Sequence, residues 1–274
     1  MTTRIAHLSD LHFGRTDPEQ LDTLARLLAE DGTEHVIVTG DLTQEGRKRE
    51  FEAAAAWFEA LPMRVTAIPG NHDAPVRNLY RRFKSPWERY ERLTGCEAEP
   101  VVRGEGYVFA GANSARRVRP GIDWSTGALT KRQVRRVIAA FEAYPGDVKM
   151  VGFHHPVRAV ETAARAGRAV VSGADHVVDR LADAKVDVMM TGHVHLARVS
   201  TVTDRGWTFV LSQAGTAVST RLRGEPASYN VLSVDGDRLT VEVQRWAEGT
   251  GGGGHFATER TMRYARGGNG WQTA

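Results

Sequence analysis

Five short apolar runs in this chain each end in a cluster of His, Asp or Asn, and that recurrence constrains the fold more than any other feature. The run at residues 5–8 leads to Asp10 and His12. The run 36–38 leads through Thr39-Gly40 to Asp41, and 65–68 leads through Pro69-Gly70 to Asn71, His72 and Asp73. The run 149–153 leads to His154-His155-Pro156, and 186–190 leads through Thr191-Gly192 to His193-Val194-His195. Such runs, a few residues long and bounded by turns, read as buried strands.

Helical patterns lie between them. Asp17-Pro18 opens one, with Asp as N-cap, Pro at the first helical position and Gln20 closing a capping box; Leu21, Leu24, Leu27 and Leu28 form its apolar face. A second carries Phe51, Ala55 and Phe58. A basic, aromatic helical stretch covers about 76–93. A further helix starts at Thr130 with Val134, Val137, Ile138 and Phe141, and another lies around 177–181. Short strands are expected at 101–102 and 107–110, and the last part is mostly β, at 197–203, 208–211, 229–234 and 239–244, with Asp235-Gly236 as a hairpin turn. Strands alternating with helices imply an α/β chain built on a mainly parallel sheet, and the later strands are expected to form a second sheet packed on the first. Residues 1–266 read as one domain. The glycines at 251–254 and 267–268 read as a flexible loop and the start of a flexible tail, 267–274.

With 274 residues, 41% of them hydrophobic, the chain can bury a core without a disulfide or metal staple, so any metal serves function rather than folding. Its one cysteine, Cys96, allows no intramolecular disulfide and fits a reducing compartment. The N-terminus reads directly into a strand, no stretch approaches the ~20 apolar residues of a membrane span, and a cytoplasmic location is expected. The net charge of +3 and a pI near 9.2 lean weakly towards anionic partners. Two basic groups, Arg77, Arg81, Arg82, Lys84 and Arg116, Arg117, Arg119, read first as solvated surface and second as a field that draws a phosphate.

In open α/β sheets, ligands bind beyond the carboxyl ends of the strands. If the five strands are parallel neighbours, two aspartates, an asparagine and several histidines meet at one edge. Glycine before Asp41, Asn71 and His193 is expected to permit the turn that aims each side chain. Imidazole with carboxylate and amide oxygen favours Mn, Fe or Zn; thiolates are absent, and the histidines are too many for a Ca or Mg cage. So many groups suit two ions, with the lone Asp41 as the bridging carboxylate.

These clusters resemble the motif set of the calcineurin-like metallophosphoesterases: D-x-H at Asp10-Leu11-His12, G-D at Gly40-Asp41, G-N-H-[DE] at Gly70-Asn71-His72-Asp73, a single His at His154, and G-H-x-H at Gly192-His193-Val194-His195. The resemblance implies two packed mixed β-sheets flanked by helices, with a β-rich C-terminal part. It implies two divalent or trivalent ions, Mn and/or Fe or else Zn, with Asp10, His12, Asp41 and His195 on the first and Asp41, Asn71, His154 and His193 on the second. His72 would contact phosphate and assist the leaving oxygen, so Asp41, Asn71 and His72 are the expected catalytic groups. In the His154-His155 pair the family pattern puts the ligand at His154, leaving His155 to line the substrate pocket or support it. Asp73 is expected to orient a neighbour. His7 reads as a buried structural histidine, His35 and His255 as surface or loop residues, and His176 as a cap or loop residue.

Weaker likenesses, at Leu11-His12-Phe13-Gly14, Asn113-Ser114, the stretch 127–134 and Ala214-Gly215-Thr216, resemble the bacterial branch of class III cyclic nucleotide phosphodiesterases and glycerophosphodiesterases. That branch implies a small phosphodiester substrate cleaved through a metal-bound hydroxide. Arg221 and Arg223 are pocket candidates, and Trp124 could stack a base. A nuclease or phosphomonoesterase of the same fold is the alternative enzyme, although a polynucleotide partner is not expected; a non-catalytic scaffold is the alternative of another class. A homo-oligomer is compatible with all of these.

Overall fold

The computed structural model describes residues 2–75, 78–116, 126–158, 170–249 and 253–274. The five apolar runs form β1 (Thr3–Leu8), β2 (His35–Val38), β3 (Arg64–Ala67), β6 (Val148–Gly152) and β7 (Val188–Thr191), with β4 (Val101–Gly104) and β5 (Tyr107–Gly111) between them in the chain. After β7 come β8 (Arg198–Asp204), β9 (Trp207–Gln213), β10 (Ser228–Asp235), β11 (Arg238–Glu248), β12 (Gly254–Gly267) and β13 (Gly270–Thr273). The helices among the described residues are α1 (Pro18–Glu30), α2 (Lys48–Ala60), α3 (Leu79–Lys84), α4 (Glu88–Thr94), α5 (Lys131–Glu142) and α6 (Ala174–Asp183).

Hydrogen bonding runs through one curled mixed sheet in the order β3-β2-β1-β10-β11-β12-β13-β9-β7-β6-β5-β4, with β8 beside β9. The curl folds the sheet into two halves that pack face to face. Ile5, Ile37, Leu232 and Val241 of one half share a core with Phe109, Met150, Val188 and Val210 of the other. Strand alternation sends the neighbours outward: Ala6, Leu8, Val36 and Val38 pack under α1, α2 and α4, against Leu24, Leu28, Phe51 and Tyr90. On the other face Val151, Met189 and Phe209 pack under α5 and α6, against Val137, Phe141 and Leu181. The result is helices, half-sheet, half-sheet, helices.

Local signals held where they were strong. Asp17 caps α1 by accepting from Gln20 N, with Pro18 in the first turn, although the expected capping box does not close there because Gln20 Oε1 has no partner among the described residues; Thr130 and Gln133 form the capping box of α5. Several expectations are corrected. The later strands do not form a second sheet of their own: β10 pairs with β1, and β11 and β12 follow it, while β8 and β9 join β4 to β7 in the other half. The expected helix at 76–93 is split into α3 and α4 around Pro86, which has no N–H to continue a helix. The tail is not loose: β12 and β13 form a hairpin that seats Trp271 fully buried in the core between the halves. His35 is buried rather than surface, since it sits two residues before Ile37 and shares its inward face; it bonds Tyr107 Oη at 2.5 Å and Thr66 Oγ1 at 2.8 Å. His7 is buried as expected, between Ser212 and Thr39. His255 is exposed on β12 and His176 exposed in the first turn of α6. No described helix is long and apolar enough to cross a membrane.

Candidate metal centre

The loops leaving β1, β2 and β3 in one half and β6 and β7 in the other meet at one edge. They are not five neighbours in a row, as the sequence suggested, but two groups facing across the fold. Backbone bonds lace each group internally: Asp10 N to Gly40 O at 3.0 Å and His12 N to Asp41 O at 3.0 Å in one, and Gly192 N to His154 O at 2.9 Å in the other. His193 N also donates to Asp10 Oδ2 at 2.8 Å.

Seven described non-glycine residues have positive φ, and five are Asp10, His12, Asp41, His193 and His195. Each such residue costs on the order of 1 kcal/mol and persists only where the surroundings impose it. The sequence placed the turning burden on the glycines, and only Gly40, at φ 100°, carries it. Gly70 and Gly192 serve close approach instead. A Cβ at Gly70 would land on Asp41 Oδ1, and one at Gly192 on Ser9 Oγ.

Two sets of donor atoms result. In the first, Asp10 Oδ1 lies 3.0 Å from His195 Nε2 and 3.7 Å from His12 Nε2, and Asp41 Oδ2 lies 3.9 Å from His12 Nε2. In the second, Asp41 Oδ2 lies 3.3 Å from His154 Nε2, which faces His193 Nδ1 at 3.2 Å. Asp41 Oδ2 thus stands between both sets.

The ring nitrogens say what belongs there. The Nδ1 atoms of His12, His154 and His195 face the carbonyl oxygens of Thr43, Thr39 and Arg221, at 3.4, 2.8 and 2.8 Å. A carbonyl can only accept, so these Nδ1 atoms carry the protons and the Nε2 lone pairs of neutral rings point inward. His12 Nε2 and His195 Nε2 then face each other at 3.2 Å, lone pair to lone pair. Asn71 Oδ1 is buried with no hydrogen-bond partner among the described residues. Inward lone pairs beside two buried carboxylates, with an orphaned acceptor on Asn71 in the adjoining loop, fit cations. The donors are nitrogen and oxygen without sulfur, the set that suits Mn, Fe or Zn.

Electrostatics agree except at His154, whose ring the buried carboxylates keep protonated until a cation displaces that proton. Burial would lower His154, but the Asp41 and Asp10 carboxylates outweigh it and lift the imidazole to about 9. Burial would raise both carboxylates; His195 and His154 hold Asp10, and His154 and His72 hold Asp41, well below the usual range. Burial pushes His12 and His193 down to about 3. The ligands are thus two carboxylates and mostly neutral imidazoles, the protonation states metal binding requires.

All the sequence-predicted ligands, Asp10, His12, Asp41, Asn71, His154, His193 and His195, are gathered here, with His72 beside them. His72 N donates to Asp41 Oδ1 at 2.8 Å, its Nδ1 to Gln44 O at 2.7 Å, and its Nε2 faces Arg221 Nη1 at 3.2 Å. Asp73 turns away and accepts from Leu42 N, Thr43 N, Thr43 Oγ1 and Gly70 N, tying the Asp41 and Asn71 loops together. His155 is fully buried, not at an open surface: its ring lies 4.5 Å from that of His193, and its Nδ1 is 2.9 Å from Ser114 Oγ. Arg221 is half-buried over His72, and Arg223 is exposed. Arg77, Arg117, Arg119 and Trp124 lie outside the described residues. The acceptors that set the imidazole tautomers, at Thr39, Thr43, Gln44 and Arg221, escaped the sequence reading because main-chain carbonyls have no residue signature.

A family model described as calcineurin-like phosphoesterase matches residues 3–197. The chain belongs to that family. Membership makes it a hydrolase of phosphoesters, in a family that uses a dinuclear metal centre. This phosphoesterase is 24% identical over 265 residues to a probable cyclic nucleotide phosphodiesterase of Synechococcus sp., covering 90% of this chain and 94% of the relative. Its fold is similar to that of a dimetal phosphatase from Danio rerio, with a TM-score of 0.65 at 13% identity over 94% of this chain and 99% of that one. It is also similar to PhoD, at 0.72 and 10% identity over 100% and 71% of the two chains.

Proposed function

We propose that this phosphoesterase is a dinuclear-metal phosphodiesterase for small phosphodiesters of the cyclic nucleotide or glycerophosphodiester type. The observation that carries the reading is Asp41 Oδ2 standing between two sets of inward-facing donors. The probable cyclic nucleotide phosphodiesterase to which the chain is similar nearly end to end supports the diester class.

Asp10, His12, Asp41 and His195 would hold one ion, and Asp41, Asn71, His154 and His193 the other, with Mn and/or Fe, or else Zn, as the metals. When bound, such ions neutralise the phosphate and activate water at neutral pH. The chain's own groups do the rest. The Gln44 carbonyl accepts from His72 Nδ1 and so fixes the ring with Nε2 against the Arg221 guanidinium, from which His72 would assist the leaving oxygen. Asn71 and His72 hold charge that develops on the phosphoryl oxygens. Ser114 and His155 stand behind His193 and keep its ring in place. The single half-buried Cys96 fits a reducing cytoplasm.

A turnover screen on Mn-loaded protein tests the reading. Cyclic nucleotides, glycerophosphodiesters and bis(p-nitrophenyl) phosphate should be cleaved in preference to p-nitrophenyl phosphate and to nucleic acids. Preference for the monoester would make the protein a phosphatase, and preference for polynucleotides a nuclease.

A further inference from the structure

Beside the centre, Arg15 and Arg223 lie near enough for their charges to act on Arg221, and none of the three has a neutralising carboxylate among the described residues. Arg221 is half-buried, and its guanidinium meets Gln44 Oε1 at 3.4 Å and His72 Nε2 at 3.2 Å, neither of them a carboxylate. Arg223, two residues on, is exposed, and its charge acts on both Arg221 and His193. Arg15 comes from the loop after β1, and its charge also acts on Arg221. The two loops are pinned together: the Arg15 carbonyl accepts from Thr220 N at 2.8 Å, Thr220 Oγ1 at 3.0 Å and Ser219 Oγ at 3.3 Å.

Among the described residues no carboxylate lies within 4.0 Å of these three guanidinium groups. Acids near them in the chain or the fold are already engaged: Asp17 accepts from Gln20 N at 3.1 Å and Glu19 from Gly254 N at 2.7 Å. Glu225 pairs with Arg198 at 2.7 Å and Arg245 at 3.4 Å, Glu45 pairs with Arg47 at 2.5 Å, and Glu50 accepts from the backbone of Glu45 and Arg47. Asp41 and Asp10 attract Arg221, but they belong to the donor sets, where bound cations would offset their charge.

A phosphodiester carries one negative charge, and two metal ions are ample for it. Three further cations held against their mutual repulsion exceed what the scissile group needs. Guanidinium groups in convergence are suited to a phosphate, which accepts several charge-assisted bonds at once. We propose that the substrate carries, besides its scissile phosphodiester, a second and non-scissile phosphate that Arg15, Arg221 and Arg223 receive. This rests on the phosphodiesterase reading and narrows it from any small diester to one with an added phosphate.

Thymidine 5′-(p-nitrophenyl phosphate) and its 3′-phosphorylated counterpart share a scissile bond and differ by one phosphate. Mn-loaded wild-type protein should favour the 3′-phosphorylated ester by about tenfold or more in kcat/KM. Arg15→Gln and Arg223→Gln, both at exposed positions, should each shrink that ratio, and the triple variant with Arg221→Gln should bring it near one. Calorimetry should find thymidine 3′,5′-bisphosphate binding more tightly than thymidine 5′-monophosphate, by a margin that falls as salt rises. Equal use of the two esters by the wild type, or a preference that survives in the triple variant with its metal content intact, overturns the inference alone. Failure to cleave either ester or bis(p-nitrophenyl) phosphate overturns the phosphodiesterase reading and this inference with it.

Discussion

Buried aspartates at opposite edges of the sheet are treated in opposite ways. Asp187 stands just before β7 and is 1% exposed, but its oxygens are matched: Trp271 Nε1 donates at 2.7 Å, Lys149 N at 2.8 Å, and Arg266 lies at 3.4 Å. Asp10 and Asp41, at the other edge, are as deeply buried, and each has one oxygen matched by a backbone N–H, but Asp10 Oδ1 and Asp41 Oδ2 look onto imidazole nitrogens, and Asn71 Oδ1 has no partner among the described residues. Protein donors complete the first arrangement. The second is complete only with cations. Burial of a carboxylate therefore says little by itself; the partner atoms around it distinguish a structural group from a ligand.

Removing Asp41 is the strongest way to break this contrast. Asp41→Ala should lower phosphodiester turnover by about a thousandfold or more and reduce bound metal below two ions per chain, read by elemental analysis. His72→Ala should cost less, about a hundredfold, and should leave the metal content near that of the wild type. Equal metal loss in both variants would mean that His72 is a ligand.

Stability measurements on chelated protein sharpen the contrast from the other side. Asp187→Ala strands the Trp271 indole and the Lys149 amide, and should lower stability by about 3 kcal/mol in urea titrations without changing metal uptake. Asp10→Asn removes a charge that the metal-free protein does not fully pair, and should lower stability by less than about 1 kcal/mol. If Asp10→Asn proved as damaging as Asp187→Ala, the two edges would not differ as described.

His35 gives the smallest effect. Burial, with the nearby Arg64 charge adding to it, pushes its imidazole from 6.5 down to about 4. The unfolded chain therefore takes up a proton that the folded one refuses. The contribution of His35 is fully present above pH 6.5 and is lost as pH falls towards 4, about 2 kcal/mol of it between pH 7 and 5. His35→Gln should flatten that part of the stability profile in chelated protein. An unchanged slope would mean that the ring is not held neutral.

The ordered polar clusters made the ligand set legible, because strand ends that supply Asp, His and Asn point to nitrogen and oxygen chemistry at one edge. Strongly periodic helices were legible for the same local reason, as α1 and α5 illustrate with their caps and apolar faces. Less legible were β12, whose Glu259, Arg260 and Arg263 hide any alternation, and β13, whose buried Trp271 follows a glycine turn. His35 could have been read, since its spacing from Ile37 puts both on one face.

By itself, then, the sequence determined which atoms could hold metal, where the strands begin, and which faces are apolar, because these follow from residue type and short-range spacing. Only the tertiary structure decided that the five strand ends come from two facing half-sheets, that the ligands themselves bear the left-handed backbone, and that carbonyls of distant loops set the imidazole tautomers. Those are contacts between residues far apart in the chain, such as His154 with Thr39 and His195 with Arg221, and they exist only once the sheet has curled and closed.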